Sequence, residues 1–256
     1  MNSRVNLDNK EAVVLHHFDY RDSSLLVNFF ISDFGRVSAI AKGVKGKKKS
    51  KQAYQVLLQP FQKLMVSLSG KQELLLLKNI EATTVSWKLS GKSLYCAYYV
   101  NELLLRLLPT YTDCREIFQL YNHVLNLLVQ CSSVPVNGVQ ETQHTVLYEA
   151  PLRLFELKLL EFLGYGLNLT DEIQSGLPVD AKKHYYYVAE SGPSEMQIAN
   201  TTTLPITGRT LINLSNGQLS DPKTLQESKQ LLKWALSEHL GSKPLKSRQL
   251  FKQLYC

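Results

Sequence analysis

The chain has 256 residues, 44% of them hydrophobic and 20% charged, which is enough apolar sequence to bury a core and excludes disorder throughout. The four cysteines are widely spaced, which argues against a disulfide-rich secreted fold. The N-terminus is charged, which argues against a signal peptide, and charges interrupt the apolar stretches, which argues against a membrane span. We therefore expect a cytoplasmic protein. The net charge of +7 lies in residues 1–80, which hold 13 Lys and Arg against 6 Asp and Glu. Residues 81–256 hold 16 basic and 16 acidic residues, a balance of zero. Such asymmetry is typical of one module that meets a polyanion.

The first 80 residues predict a small β-barrel. Short runs rich in Val, Leu, Ile and Phe are separated by turn-forming residues, and the last two are joined at Gly70, which suits a tight hairpin. Five strands fit a barrel of the OB type better than a sandwich, which usually needs about seven. The predicted strands are Ala12–Phe18, Leu25–Ile31, Arg36–Ala41, Phe61–Ser69 and Leu74–Ile80, with a loop at Lys42–Lys51.

From Glu81 onward the hydrophobic period is that of helices. Pro109 ends the first helix, Gly164 caps the end of the third, and Asp221 caps the start of another with Pro222 in its first position. The predicted helices are Ser90–Leu108, one beginning near Asp113, Val146–Leu163, one from Asp221 to about Leu240, and Lys246–Leu254. Residues 165–205 are the least regular, with one short strand at His184–Ala189, and Thr207–Leu214 adds a helical turn or two.

The predicted fold class is therefore α+β, with an N-terminal OB-fold β-barrel followed by a mostly α-helical C-terminal domain. We expect the boundary at residues 81 and 82, so that residues 1–81 form the nucleic-acid-binding domain and residues 82–256 the helical one. The helical domain includes the irregular segment at about residues 168–205.

No pattern in the sequence predicts catalysis. The six histidines stand in no metal-ligand arrangement, and the sequence has no nucleophile elbow, P-loop or dinucleotide-binding glycine motif. Asp19, Asp22 and Asp33 could form a carboxylate set for metal-dependent phosphodiester cleavage, although loop aspartates are ordinarily turn and cap residues. We expect no enzyme, no catalytic residue, no cofactor and no metal.

The strongest local signal is the run Gly35–Lys51, GRVSAIAKGVKGKKKSK, which contains seven basic residues and no acidic one. Lysines in a loop beside a barrel can follow a phosphate backbone, which predicts salt-sensitive binding without base recognition, whereas the alternative is a solvated charge run without a ligand. Nearby aromatic rings either stack on bases or pack the core, and Tyr54 is the best stacking candidate because it lies in a polar segment. The candidate DNA-binding residues are Arg36, Lys42, Lys45, Lys47, Lys48, Lys49, Lys51 and Tyr54.

Three basic residues, Arg115, Arg153 and Lys158, lie on helices that are otherwise apolar. Basic residues at the edge of an apolar groove can receive an acidic peptide with a hydrophobic end. They can also be the solvent-facing residues of amphipathic helices, which is the commoner role of such residues, and the sequence leaves both interpretations open.

Five blocks, in order along almost the whole chain, resemble the RecO family. They are FGRV…AKG (Phe34–Gly43), LQPF (Leu58–Phe61), NELL (Asn101–Leu104), LRLFE…LGYG (Leu152–Gly166) and PLKSR (Pro244–Arg248). The resemblance implies a recombination mediator of DNA repair in the bacterial cytoplasm, associated with the nucleoid. It further implies binding to single- and double-stranded DNA, annealing of complementary strands, cooperation with RecR, and help in loading RecA onto strands covered by single-strand DNA-binding protein.

The resemblance also bears on the candidate residues. It puts Arg36, Lys42 and Lys45 on the DNA-binding stretch, and it implies a groove in the helical domain for the acidic C-terminal tail of single-strand DNA-binding protein, beside which Arg115, Arg153 and Lys158 are nominated. Some members hold zinc through four cysteines in the irregular segment. Residues 168–205 contain no cysteine here, so we expect packing, for example by Tyr185–Tyr187, to stabilise that segment instead of a metal.

Two other classes of protein remain open from the sequence. An OB-fold RNA-binding factor without a repair role would bind structured RNA more tightly than single-stranded DNA. A nuclease that relies on Asp19, Asp22 and Asp33 would cleave DNA only with a divalent metal.

Overall fold

The computed structural model describes residues 4–46, 49–71, 74–132 and 141–255. The chain divides into two compact units: the first comprises residues 1–90, 97–129 and 245–256, and the second comprises residues 91–96 and 130–244. The C-terminal residues therefore belong to the same unit as the N-terminal ones. None of the helices in the described ranges is long and apolar enough to cross a membrane.

The first unit contains a closed barrel of five strands. The strands are β1 (Arg4–Tyr20), β2 (Ser24–Ile31), β3 (Gly35–Ala41), β4 (Gln62–Lys71) and β5 (Leu74–Ser86). Their order around the barrel is β1-β2-β3-β5-β4, and β1 pairs with both β2 and β4. The pair β3 and β5 is parallel, and the other pairs are antiparallel. This confirms the expected OB-fold barrel, in which closure pairs the edges that an open sheet would expose.

Alternate residues of the strands fill the barrel interior, as the pleat of a strand requires. Phe29 faces inward and joins a continuous apolar cluster, whereas the adjacent Phe30 faces outward and packs edge-on against Phe118 with ring centroids 5.0 Å apart. Phe61 is also buried and packs against Tyr98. Of the two roles open to the aromatic rings near the lysine run, packing therefore holds for Phe29, Phe30 and Phe61.

The described residues also form seven helices. They are α1 (Lys49–Leu57), α2 (Gly91–Leu107), α3 (Arg115–Ser132), α4 (Glu141–Phe162), α5 (Gly208–Ser215), α6 (Pro222–Leu240) and α7 (Lys246–Tyr255). The first unit contains α1, α7, residues 97–107 of α2 and residues 115–129 of α3.

The helix α1 corrects the sequence prediction, which extended a loop to Lys51. The segment Lys49–Leu57 contains no glycine or proline, so nothing in its backbone prevents a helix. Its last residue, Leu57, packs against the barrel interior, and the following Leu58 is fully buried there. Burial of these apolar side chains favours the helix over a free loop.

The FGRV block places a glycine where no side chain fits. Gly35 has a φ of +66°, and a Cβ atom on it would lie 2.6 Å from the carbonyl oxygen of Pro109. The same carbonyl accepts a hydrogen bond of 3.2 Å from the backbone N–H of Arg36. This close approach joins the start of β3 to the connection between α2 and α3, which explains why the motif contains glycine.

The NELL block holds separate parts of the first unit together. The Asn101 amide donates a hydrogen bond of 2.8 Å to the backbone oxygen of Leu15, and its oxygen accepts one of 2.8 Å from the Tyr121 hydroxyl. The adjacent Glu102 carboxylate accepts hydrogen bonds from the backbone N–H groups of Lys246 and Ser247, at 3.0 and 2.9 Å. The NELL block therefore supports β1 and caps α7, the helix that begins within the PLKSR block.

The second unit combines α4, α5 and α6 with a three-stranded sheet. Its strands β6 (His184–Val188), β7 (Gly192–Ser194) and β8 (Thr203–Thr207) have the order β7-β6-β8. The predicted strand at His184 is confirmed, but both of its partners were missed. Each partner contains a proline, which predicts against a strand but is tolerated at a sheet edge.

Helix ends in the second unit follow the sequence prediction. The Asp221 carboxylate accepts a hydrogen bond of 2.8 Å from the backbone N–H of Thr224, and Pro222 occupies the first helical position. Gly164, just past α4, has a φ of +84°, a conformation that glycine adopts without strain. These features confirm the predicted caps.

The irregular segment of the second unit is organised by a buried carboxylate. Glu172 is 3% exposed, and its carboxylate accepts hydrogen bonds from the backbone N–H groups of Gln174, Ser175 and Glu195, at 3.1, 2.6 and 3.3 Å. Burial alone would raise the pKa of Glu172, but the hydrogen bonds, chiefly those from Ser175, leave it lowered. Of the predicted trio Tyr185–Tyr187, Tyr185 and Tyr187 are each 2% exposed and pack inside this segment, whereas Tyr186 is half-buried.

Candidate nucleic-acid interface

The segment that follows β3 lies beside the turn between β1 and β2. The backbone N–H of Lys45 donates a hydrogen bond of 3.0 Å to the carbonyl oxygen of Ser23, and its ammonium lies 3.1 Å from the Asp19 carboxylate. The Lys51 ammonium is 3.4 Å from the carbonyl oxygen of Lys45, and Lys42 is exposed in the turn after β3. Lys42, Lys45 and Lys51 are called the hairpin-end lysines below.

The other candidates from the lysine run have different positions. Lys47 and Lys48 lie outside the described residues, and Lys49 begins α1, although its side chain is also outside what the structure describes. Tyr54 lies on α1 and is 41% exposed, so its ring is accessible to a ligand, and its stacking on a base stays a prediction.

Arg36 is separated from the hairpin-end lysines. It lies near the start of β3, whereas Lys42 follows the last residue of that strand, and six residues of extended chain span roughly 20 Å. Arg36 is half-buried, and its buried Nε atom has no hydrogen-bond partner among the described residues. The strand therefore brings Lys42 toward Lys45 but keeps Arg36 at the opposite end of the barrel.

The three aspartates considered for a nuclease do not form one site. Asp19 is paired with Leu25 near the end of β1 and contacts Lys45. Asp33 follows the other end of β2 and contacts Lys10 at 2.6 Å. The eight residues of β2 separate these ends by roughly 25 Å. Within the described ranges, no three His, Cys, Asp or Glu side chains are grouped so that they could hold a metal ion.

The described cysteine thiols are poor nucleophiles. Cys96, Cys114 and Cys131 are free and buried. Burial raises the pKa of Cys96 to about 12 and that of Cys114 to about 11, so both thiols stay protonated near neutral pH. These side chains therefore belong to the packing of the chain.

The three basic residues proposed beside a peptide groove differ in exposure. The Arg115 side chain is 70% exposed and pairs with Asp113, and the Lys158 side chain is 51% exposed and pairs with Glu161 at 2.7 Å. Arg153 is only 3% exposed, so its interpretation as a solvent-facing residue is wrong. Helix α4 turns it toward the interior of the second unit, where Leu152 and Phe155 are also buried.

Arg153 is paired but incompletely hydrogen-bonded. Its Nη2 atom donates a hydrogen bond of 2.8 Å to the Glu156 carboxylate, whereas Nε and Nη1 have no partner within the described part of the chain. Buried guanidinium N–H groups without acceptors are costly, by about 1–3 kcal/mol for each group. Such donors indicate either strain that the fold tolerates or a place for an acceptor from another molecule.

Comparison with known proteins identifies the family. The model for Recombination protein O N terminal matches residues 5–85, and the model for Recombination protein O C terminal matches residues 89–249. Together they cover nearly the whole chain. The chain belongs to the RecO family.

Curated proteins of the RecO family are similar to this chain along almost their full lengths. The DNA repair protein RecO of Nitrosococcus oceani is 41% identical over 243 residues, which cover 95% of this chain and 92% of that protein. That of Pseudoalteromonas atlantica is 38% identical over 245 residues, covering 94% and 93%. That of Dechloromonas aromatica is 35% identical over 254 residues, covering 99% of each. The chain is thus a member of a DNA repair family, which leaves the RNA-binding alternative without support.

Sequence reasoning missed one exposed ring on the RecO-family barrel. Phe18 is 51% exposed and contacts the edge of His16, with ring centroids 4.4 Å apart. Nearness in sequence to the lysine run selects Tyr54, whereas the pairing of β1 with β2 puts Phe18 opposite Leu26, on the outer face of the barrel. Only the register of the two strands reveals this position.

Proposed function

We propose that this RecO-family protein is a recombination mediator that binds single- and double-stranded DNA, anneals complementary strands and, with RecR, helps load RecA onto strands covered by single-strand DNA-binding protein. It makes and breaks no bond, and it acts in the bacterial cytoplasm at the nucleoid. The observation that carries the proposal is the group of hairpin-end lysines on an OB-fold barrel, in a chain that belongs to a DNA repair family.

Binding by these lysines is electrostatic and insensitive to base sequence. Lysine ammonium groups neutralise phosphates and release counterions, and they do not read base edges. If about five lysines of the run each meet a phosphate of a single strand, the log–log salt slope is roughly −3.5. A fourfold rise in salt then weakens binding by about a hundredfold.

Annealing follows from the same property. Two complementary strands repel each other through their phosphates, and a lysine-rich surface that holds both reduces this repulsion. Because the lysines contact the backbone, the base edges remain free to pair. The mechanism needs no cofactor and no metal.

The second unit supports the proposed binding of the acidic C-terminal tail of single-strand DNA-binding protein. The unpaired Nε and Nη1 atoms of Arg153 are donors that a peptide carboxylate could satisfy. Lys158 is exposed and can meet an acidic peptide directly, whereas contact with Arg153 requires neighbouring side chains to move because it is sealed from solvent. Arg115, on the first unit, is exposed and available to the same class of ligand.

The DNA-binding proposal is tested by fluorescence anisotropy of a labelled single-stranded oligonucleotide at several salt concentrations. Replacing Lys42, Lys45 and Lys51 together by Ala should weaken binding at low salt and make the log–log slope shallower by about 2. The matched control replaces Lys182, Lys223 and Lys233, three exposed lysines of the second unit, and should leave the slope unchanged. An unchanged slope in the first variant would refute the proposed site.

A separate titration tests the tail-binding proposal. A labelled acidic peptide with a hydrophobic C-terminal end should bind the wild-type chain, and Arg153→Ala should weaken that binding more than Glu161→Ala does. Circular dichroism of both variants reports whether the helices remain folded. Equal affinity in the two folded variants would place the peptide elsewhere.

A further inference from the structure

The net charge divides more sharply between the two units than it does along the sequence. The first unit holds 19 Lys and Arg against 10 Asp and Glu, and the second holds 10 against 12. The first unit therefore has a net charge of +9 and the second a net charge of −2. Part of this difference comes from α7, which belongs to the same unit as the barrel and contains Lys246, Arg248 and Lys252 but no acidic residue.

Side chains of α2 hold α7 in place. Glu102 accepts hydrogen bonds from its first backbone N–H groups, and Arg248 donates a hydrogen bond of 2.8 Å to the Tyr99 hydroxyl while lying 4.9 Å from the centroid of that ring. In turn, Asn101 of α2 donates a hydrogen bond to the backbone oxygen of Leu15 on β1. Chain ends are poorly ordered unless they are tied down, so these contacts fix α7 to the barrel and give its outward side a defined position.

That outward side presents a row of polar side chains. Lys246, Gln249 and Gln253 are spaced by three and four residues, and Lys252 follows Gln249 by three, so the four lie on neighbouring positions of the helix surface. All four are exposed. They span about 10 Å along the helix and are called the α7 row below. Lysine and glutamine are both side chains that donate hydrogen bonds to phosphate oxygens.

The lysines of the α7 row are not neutralised by neighbouring carboxylates. Neither Lys246 nor Lys252 makes an ion pair within the described part of the chain, whereas four lysines of the second unit each pair with a glutamate. Glu102 lies at the start of α7, but its carboxylate is engaged by backbone N–H groups and by Arg106. The ammonium groups of the row therefore remain available to an anionic ligand.

The position of Lys246 conflicts with the stability of its own helix. The N-terminal end of a helix carries a partial positive charge, which favours acidic residues in the first turn and disfavours basic ones. The first turn of α7 contains Lys246 and no acidic residue. Such departures from a local rule occur mainly at functional sites, where a ligand makes use of the residue.

Building on the proposed DNA binding, we propose that the α7 row is a second phosphate-binding surface of the first unit, which contacts the DNA backbone in addition to the hairpin-end lysines. Single strands and duplexes both present phosphates, so the row adds affinity for both forms and recognises no base. With two further lysine contacts, the log–log salt slope becomes steeper by about 1.4 for single strands and about 1.8 for duplex DNA.

An acidic peptide with an apolar end is the other class of ligand that could meet this face, since Leu250 and Leu254 beside the row are 47% and 57% exposed. The apolar face of a peptide binds in a groove between elements. The α7 row lies instead along the outward side of one helix, where an extended phosphate backbone can follow it. Its position in the basic unit, which also carries the hairpin-end lysines, favours DNA for the same reason.

The test measures salt slopes by fluorescence anisotropy on a labelled oligo-thymidine strand and a labelled duplex. Replacing Lys246 and Lys252 together by Ala should make the slope shallower by about 1.4 on the single strand and about 1.8 on the duplex. The matched control replaces Lys223 and Lys233, two exposed lysines of α6 in the second unit, and should leave both slopes unchanged although it removes the same charge.

A single substitution separates ligand binding from folding. Lys246→Ala should make the single-strand slope shallower by about 0.7, while the amides of α7 exchange no faster than in the wild type, because the change removes a positive charge from the first turn. Faster exchange in α7 together with weaker binding would mean that Lys246 supports the helix, and would overturn its role as a ligand contact.

The variant of the hairpin-end lysines, measured beside these, separates this proposal from the one on which it rests. Unchanged slopes in the α7 variant, with a shallower slope in the hairpin-end variant, would overturn the α7 row and leave the lysine run standing. Unchanged slopes in both would overturn both. A labelled acidic peptide with a hydrophobic C-terminal end should bind the α7 variant as it binds the wild type. Loss of that binding with unchanged DNA slopes would mean that the face binds protein, which would also overturn the proposal.

Discussion

The capping of α7 by Glu102 gives a prediction whose size can be worked from the structure. The carboxylate accepts hydrogen bonds from the backbone N–H groups of Lys246 and Ser247 and one of 2.7 Å from the Ser247 hydroxyl. Replacing a capping acceptor by alanine costs about 0.5–2 kcal/mol, and losing a negative charge at a helix N-terminus costs about 0.3–1 kcal/mol. Glu102→Ala should therefore destabilise α7 by about 1–3 kcal/mol.

Hydrogen exchange measured by mass spectrometry reports this loss locally. Amides of α7 exchange through opening of the helix, and a cost of about 1–3 kcal/mol speeds that opening about 5- to 150-fold. Glu161→Ala is the matched control, because that carboxylate is exposed and pairs with Lys158 elsewhere in the chain. Exchange in α7 that does not differ between Glu102→Ala and the control would refute the capping argument.

The same carboxylate makes the stability of α7 depend on pH. Burial alone would raise the pKa of Glu102, but hydrogen bonds from Ser247 and Lys246 and the charge of Arg106 leave it below its ordinary value of 4.5. A carboxyl whose pKa is lower in the folded state stabilises the fold above its ordinary value, and this stability is lost as pH falls through the folded value. Glu102→Gln should therefore remove part of the acid sensitivity of α7 exchange.

Two further substitutions test the close packing at Gly35 and the ion pair of Lys45. Gly35→Ala should lower the free energy of unfolding in urea by about 2–4 kcal/mol, because it adds a Cβ atom 2.6 Å from a backbone oxygen at a residue with a positive φ. Gly43→Ala is the control: Gly43 also has a positive φ, but a Cβ atom there would meet nothing within 4 Å, so its cost should be smaller. Asp19→Asn should tighten single-stranded DNA binding about two- to fivefold at low salt, because it releases Lys45 from its ion pair. Asp33→Asn, at the other end of β2, is its control, and an equal gain there would mean that net charge alone is responsible.

Much of the barrel could be predicted from the sequence because its strands have a buried and an outer face. The N-terminal half of β1 was not predicted, since the polar residues between Leu7 and Lys10 hide its pattern. Pairing with β4 shifts register there, and Asn9 takes a φ of +47°. Such a bulge interrupts the alternation on which strand prediction depends.

The candidate site was harder to predict than the fold. Composition shows that the excess charge lies in residues 1–80, and the lysine run shows where it is densest. Neither shows that Arg36 lies at the far end of β3, or that the end of the β1–β2 hairpin meets Lys45. Those positions depend on strand register and loop closure, which are long-range properties that local sequence does not encode.

The blocks that carry the family resemblance and the residues that carry the proposed binding are largely different in the first unit. Gly35 of FGRV meets a backbone carbonyl, Asn101 of NELL bridges Leu15 and Tyr121, and Glu102 caps the helix of PLKSR. These residues have structural partners within the unit, so substituting them changes stability before it changes ligand binding. The described side-chain contacts of the hairpin-end lysines are an ion pair of Lys45 with Asp19 and a hydrogen bond from Lys51 to the backbone oxygen of Lys45. Both lie at the end of the β1–β2 hairpin, so replacing these lysines should change DNA affinity while the barrel stays folded. A variant series that follows this division, with unfolding and anisotropy measured on each member, therefore separates the fold of the RecO family from the chemistry of its ligand.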